Sequence, residues 1–135
     1  CISLIHTLTG MAIDIERRRP IIANNTGGVS GAGVKPIAVR MTYEAAQAVK
    51  IPVIGMGGIS NAEDAIEFIL AGATGISVGA MNFVNPYTTA EVVDGIEAYM
   101  QKYQIMVGAD GKFNPNQPLT RAMAAQLIYN IMNVR

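Results

Sequence analysis

Residues 51–73 place a short apolar run, a cluster of glycines and an amphipathic segment in immediate succession. Ile51 to Ile54 is mostly β-branched and reads as a buried strand. Gly55, Gly57 and Gly58 follow at once. Ser60 then stands three residues before Glu63, a capping-box spacing that opens a helix. Ala62, Ala65, Ile66 and Ile69 recur at helical spacing, and Gly72 suits a helix stop. Two readings fit the glycines between strand and helix. Gly57 and Gly58 can let the backbone approach a ligand, with helix N–H groups suited to a phosphate behind them. Alternatively they make a tight turn that needs glycine and binds nothing.

The rest of the chain repeats this rhythm. Ile2 to Ile5 reads as a buried strand with His6 and Thr7 at its C-terminal end. Met11 to Ile15 and Pro20 to Ala23 read as a hairpin around the polar turn Glu16 to Arg19, whose three arginines suit a solvated surface. Asn24 to Gly33 is a second glycine-rich loop, too long and too rich in glycine for a simple turn. Pro36 fits the first turn of the next helix, with Ile37, Met41, Ala45 and Val49 along one face. Gly75 to Val78 is a third strand, ending in Gly79 and Ala80. Thr88 and Glu91 repeat the capping-box spacing, ahead of a helix carrying Val92, Ile96, Tyr99 and Tyr103. Strands alternating with helices imply a parallel α/β sheet, in which working residues gather at the strand C-termini. His6-Thr7, Gly57-Gly58 and Gly79-Ala80 all fall there and should converge on one end of the sheet.

Composition narrows the function classes. Ten acidic and ten basic residues cancel, which argues against a nucleic-acid surface. Half the residues are hydrophobic, but the longest apolar runs are too short to span a bilayer, so no membrane role is expected and a cytoplasmic location is the default. A single cysteine and a single histidine leave no internal disulfide and no expected Cys/His metal site. Cys1, ahead of the first strand, reads as a core residue. Opening on a strand without methionine, the chain reads as the interior of a longer protein.

Four segments taken together carry a resemblance. Ile5 to Asp14 (IHTLTGMAID), Thr26 to Gly31 (TGGVSG), Ile51 to Gly58 (IPVIGMGG) and Val78 to Pro86 (VGAMNFVNP) resemble, in order and spacing, the catalytic subunit of the class 1B, NAD-linked dihydroorotate dehydrogenases. The resemblance covers residues 1–103 and implies the C-terminal part of a TIM (β/α)8 barrel, strands six to eight. It also implies FMN at the barrel mouth, oxidation of dihydroorotate to orotate in pyrimidine biosynthesis, and electron transfer to NAD through a partner subunit carrying FAD and an iron–sulfur cluster. By resemblance Ile5, Gly31, Gly57, Gly58, Gly79 and Ala80 contact the cofactor, the glycines forming a phosphate cradle. His6 and Thr7 contact the substrate. Two positions depart from the family pattern: His6 stands where the family has asparagine, and Ala80 where it usually has threonine. The family's proton-abstracting cysteine belongs to the other half of the barrel, and Cys1 does not match it. No catalytic residue is therefore assigned, and the chain is expected to be inactive alone.

Residues 104–135 change character. Asp110 to Asn116, then Leu119-Thr-Arg-Ala122 and an apolar segment, are similar to a single S-layer homology motif in a short helical C-terminal extension, with Arg121 at the sugar-contacting position. A domain boundary is expected near residues 104–107. Two further readings stay open: a non-catalytic binding module with a cell-wall polysaccharide-binding tail, and another phosphate-binding TIM barrel. Three of eight barrel strands would leave two open edges, so the isolated chain is expected to be a homo-oligomer, poorly soluble or partly molten. Replacing Gly57 with valine is expected to abolish phosphate binding while sparing the helices.

Overall fold

The computed structural model describes residues 1–103. The tail motif and the boundary near 104–107 lie outside the described residues. The first strand, β1 (Ile2–Leu4), leads into β2 (Leu8–Gly10), β3 (Ile13–Asp14), β4 (Arg19–Pro20) and β5 (Gly27–Val29). Helix α1 (Lys35–Ala48), strand β6 (Val53–Met56), helix α2 (Ala62–Leu70), strand β7 (Gly75–Ser77) and helix α3 (Thr88–Lys102) complete it. Short 3-10 turns at Ala32–Val34 and Ala80–Phe83 precede α1 and α3.

The three strands expected from the sequence form one parallel sheet in the order β1-β6-β7. Ser3 pairs with Ile54, and Gly55 with Ile76. The middle strand begins two residues later than its apolar run suggests, and Ile51 is exposed. Along β6, Val53 and Gly55 are buried while Ile54 and Met56 are half-buried, the period-two alternation of a strand covered more fully on one face. The covered face meets α2: a Cβ on Gly55 would lie 2.6 Å from Phe68 Cδ1. Phe68 is 0 % exposed and centres a core with Ile5, Ala38, Ile59, Ala65, Ala73 and Val92.

Several local readings change. Helix α2 is capped by Asn61 rather than Ser60: Asn61 Oδ1 accepts the Asp64 N–H at 2.9 Å. Asparagine is an equally good cap, and it places Asp64 at the third helical position where Ser60 had implied Glu63. Gly72 does stop the helix, at φ +105°, with its N–H donating to Ile69 O and the Ala73 N–H to Phe68 O, a Schellman arrangement. Thr88 and Glu91 form no capping box. Tyr87 precedes the first turn of α3, and Asn85 organises it: Asn85 O accepts from the Thr88 hydroxyl and Asn85 Nδ2 donates to Glu91.

Helix α1 turns slightly from the face read in its sequence. Ile37 is 41 % exposed, whereas Ala38 and Thr42 are buried. The helix comes close to the loop after β6 at Ala38, where a Cβ on Gly57 would lie 3.1 Å from Ala38 Cβ, while Val39 and Met41 pack partly buried against the core. Cys1 is exposed and not in the core, because it flanks β1, an edge strand. The hairpin is present but short, with Ile13 opposite Pro20. Its turn is held by Asp14 Oδ1, which accepts the N–H groups of Glu16 and Arg17. The second glycine-rich loop is partly a strand, since Gly27–Val29 pairs antiparallel with Leu8–Gly10. Among the described residues, no helix is long and apolar enough to cross a membrane.

Candidate functional site

The C-terminal ends of β1, β6 and β7 open onto one cleft of about 340 Å³, within the size range of small-molecule sites. All the residues singled out by the sequence line it: Ile5, His6, Thr7, Gly31, Gly57, Gly58, Gly79 and Ala80. Each arrives for a local reason. Ile5 follows β1 directly, is buried, and donates its N–H to Met56 O at 2.8 Å, tying the first strand end to the second. His6 and Thr7 come next and are exposed, with Thr7 Oγ1 and His6 Nδ1 in hydrogen-bond contact at 3.0 Å. Gly31 sits where β5 turns into α1, at φ +95°. Gly79 and Ala80 lead from β7 into the 3-10 turn.

The glycines divide into two kinds. Gly57 and Gly58 have φ of +120° and +76°, a region that side chains disfavour. A Cβ on Gly58 would lie 2.8 Å from Gly31 O and 2.9 Å from Lys35 N. A Cβ on Gly57 would lie 3.1 Å from Ala38 Cβ and 3.3 Å from Ile5 Cγ1. Both are thus required by backbone geometry and internal packing. Valine at Gly57 would disturb the seat of α1 as well as any ligand, so it does not isolate binding. Gly79 differs: among the described residues, a Cβ there would meet nothing within 4 Å. Packing among the described residues therefore leaves room for a side chain at this position.

Residues that the sequence reading missed complete the wall. Ser30, Ser60 and Ser77 also line the cleft. Ser77 lies at the C-terminal end of β7, so the strand-end rule could have found it. Ser60 was obscured by its reading as a helix cap. Among the described lining residues, His6 is the only one with an ionisable side chain. An anion bound here would therefore meet backbone N–H groups and hydroxyls instead of lysine or arginine, the chemistry of a backbone nest.

Behind the cleft, Lys35 at the start of α1 reaches α2. Its Nζ donates to Asp64 Oδ1 at 2.6 Å and to Glu67 Oε1 at 2.9 Å. The Asp64 hydrogen bond, then the Glu67 one, holds the Lys35 ammonium above the ordinary lysine range.

Comparison with known proteins bears on what this arrangement is. The dihydroorotate dehydrogenase family model matches residues 1–100. The chain belongs to the dihydroorotate dehydrogenase family. Its curated relatives include the catalytic subunit of dihydroorotate dehydrogenase B (NAD(+)) from Lachnoclostridium phytofermentans, 66 % identical over 104 residues, covering 77 % of this chain and 35 % of the relative. The corresponding subunit of Alkaliphilus metalliredigens is 60 % identical over 104 residues, with 77 % and 34 % covered. That of Bacteroides fragilis is 58 % identical over 102 residues, with 76 % and 34 % covered. The chain spans about a third of the length of these dehydrogenase subunits. All the residues lining the cleft fall inside the matched region.

Proposed function

We propose that this dehydrogenase chain supplies the FMN-holding end of a (β/α)8 barrel, its strands β1, β6 and β7 serving as strands six, seven and eight. One observation carries the reading: three parallel strands, each ending at the same cleft, bring together every residue that the family resemblance assigns to cofactor or substrate. Gly79 fits the group, because its bare Cα faces open space where a phosphate can come close to backbone N–H. On this reading Gly57, Gly58, Gly79 and Ala80 hold the phosphate, while Ile5 and Gly31 lie against the remainder of FMN. Bound there, FMN supplies the electron acceptor for dihydroorotate oxidation.

The chain's own residues hold and orient. Ile5 presents an apolar side chain that keeps water from the strand junction. His6 and Thr7 face outward at the rim, where ring nitrogen and hydroxyl can meet the substrate's ring and carboxylate. Histidine offers a donor and an acceptor, as asparagine does, but in a larger ring. Alanine at position 80 offers no hydroxyl, leaving backbone N–H as the contact. A base for proton abstraction must reach within about 3 Å of the proton removed. Among the described residues His6 is the only titratable side chain lining the cleft, and its position matches a binding residue. The chain alone therefore binds without turnover. In the complete system, electrons pass to NAD through a partner subunit with FAD and an iron–sulfur cluster. On this reading residues 1–103 are the partial FMN-binding barrel, and residues 104–135 are a separate C-terminal extension in the sequence.

Titrating the purified chain into FMN, riboflavin and inorganic phosphate tests this. Quenching of flavin fluorescence by FMN, with riboflavin weaker by at least about tenfold (about 1.4 kcal/mol), is the expected result. Equal binding of FMN and riboflavin would refute the phosphate cradle. Dihydroorotate oxidation by chain plus FMN would refute the holding-only role and make His6 the first residue to replace.

A further inference from the structure

The cleft has two adjoining walls, one of Gly31, Ala32 and Val34 ahead of α1 and the other running from Gly57 to Ser60 ahead of α2. A single carboxylate joins them. Asp64 Oδ2 accepts the N–H of Ser60 at 2.8 Å, and Asp64 Oδ1 accepts Lys35 Nζ at 2.6 Å. Ser60 lines the cleft, and Lys35 follows directly on Val34, which lines its other wall. Asp64 is itself fixed, because its N–H donates to Asn61 Oδ1. It is only 8 % exposed, and Lys35, at 23 % side-chain exposure, meets it where water is partly excluded, which strengthens charge-assisted hydrogen bonds. The walls also come close directly, since a Cβ on Gly58 would lie 2.8 Å from Gly31 O and 2.9 Å from Lys35 N. Glu67, the other partner of Lys35, is 51 % exposed on its side chain and is not among the residues that line the cleft.

We propose that Asp64, paired with Lys35, is a positioning residue that sets the spacing between the two walls and thereby the hold of the cleft on a phosphate-bearing ligand. This inference rests on the FMN reading above for its ligand, but the clamp has a readout of its own. The Ser60 N–H reports the Asp64 arm. The Val34 N–H, which donates to Gly31 O at 3.2 Å, reports the other wall.

The test compares the full chain with its Asp64→Ala, Lys35→Met and Glu67→Gln variants. Amide hydrogen exchange is followed at Ser60 and Val34, and FMN binding by fluorescence quenching. Asp64→Ala should speed exchange at both amides, and Lys35→Met at Val34, while the amides of β6 stay protected. Both variants should weaken FMN at least about tenfold, and Glu67→Gln should stay within about twofold. A merely structural role would lower the melting point and leave local exchange and the affinity of the folded protein unmoved. Unchanged exchange at Ser60 and Val34 in Asp64→Ala overturns the clamp, whatever FMN does. If Asp64→Ala loses protection everywhere, Lys35→Met decides: unchanged Val34 exchange or unchanged FMN affinity overturns the proposal. If the wild-type chain binds no FMN, the functional reading falls, and the exchange pattern still decides whether Asp64 couples the walls.

Discussion

Gly58→Ala adds one methyl group at the point where the two cleft walls meet. Two costs can be worked from the geometry. At φ +76°, an alanine takes up left-handed backbone, which costs about 1–2 kcal/mol. Its Cβ would lie 2.8 Å from Gly31 O and 2.9 Å from Lys35 N. Both are backbone atoms at the entry to α1, so relief requires moving the helix and not rotating a side chain. Overpacking of this kind costs about 1–3 kcal/mol. The sum, about 2–5 kcal/mol, is a large share of the stability of a typical domain at about 5–15 kcal/mol. For a domain of this size it should lower the thermal midpoint by about 8 °C or more. Gly79→Ala is the matched control. Its φ is negative and a Cβ there would meet no described residue within 4 Å, so its stability cost should be clearly smaller than that of Gly58→Ala. Yet it places a methyl group in the cleft and should weaken FMN. Circular-dichroism melts at one fixed chain concentration, with flavin quenching alongside, measure both. A Gly58→Ala midpoint within a few degrees of wild type would refute the packing argument. A Gly79→Ala variant that melts early but binds FMN normally would reverse the assignment of the two glycines.

The Lys35 ion pairs predict an alkaline dependence. A lysine raised in the folded state contributes stability that is complete below the unfolded value of about 10.4 and is lost as pH climbs through the higher folded value. Urea midpoints followed from neutral into this alkaline range should fall more steeply for wild type than for Lys35→Met, and parallel curves would contradict the pairing. Phe68→Ala should cost about 3–5 kcal/mol, because its ring is fully buried against Gly55; a urea-midpoint loss equivalent to less than about 1 kcal/mol would remove Phe68 from the core. Strands β1 and β7 form the two edges of the three-stranded sheet, and Phe83 beside the cleft wall is 94 % exposed. Unpaired edges and open apolar surface favour self-association. Sedimentation over a concentration series should show oligomers, and a monomer with a concentration-independent melt would refute this.

What the amino-acid sequence determined by itself was the order of elements, the parallel sheet and the residues at its C-terminal edge. These depend on short-range signals: β-branched runs, helical spacing of apolar residues and glycines at strand ends. His6, Gly58 and Gly79 could be placed at one edge because each follows its strand within a few residues. Only the tertiary structure decided why each glycine is there. Gly58 and Gly79 look alike in sequence, but one is pressed against the Gly31 carbonyl and the other faces an open cleft. The difference lies in what a distant segment puts beside them. The same holds for Ala38 displacing Ile37 from the inner face of α1, and for Leu8–Gly10 pairing with Gly27–Val29. Lys35 and Asp64 meet across 29 residues. Nothing in the local pattern of either helix marks that pair, because an ion pair between two helices is set by how they pack and not by the period of either one.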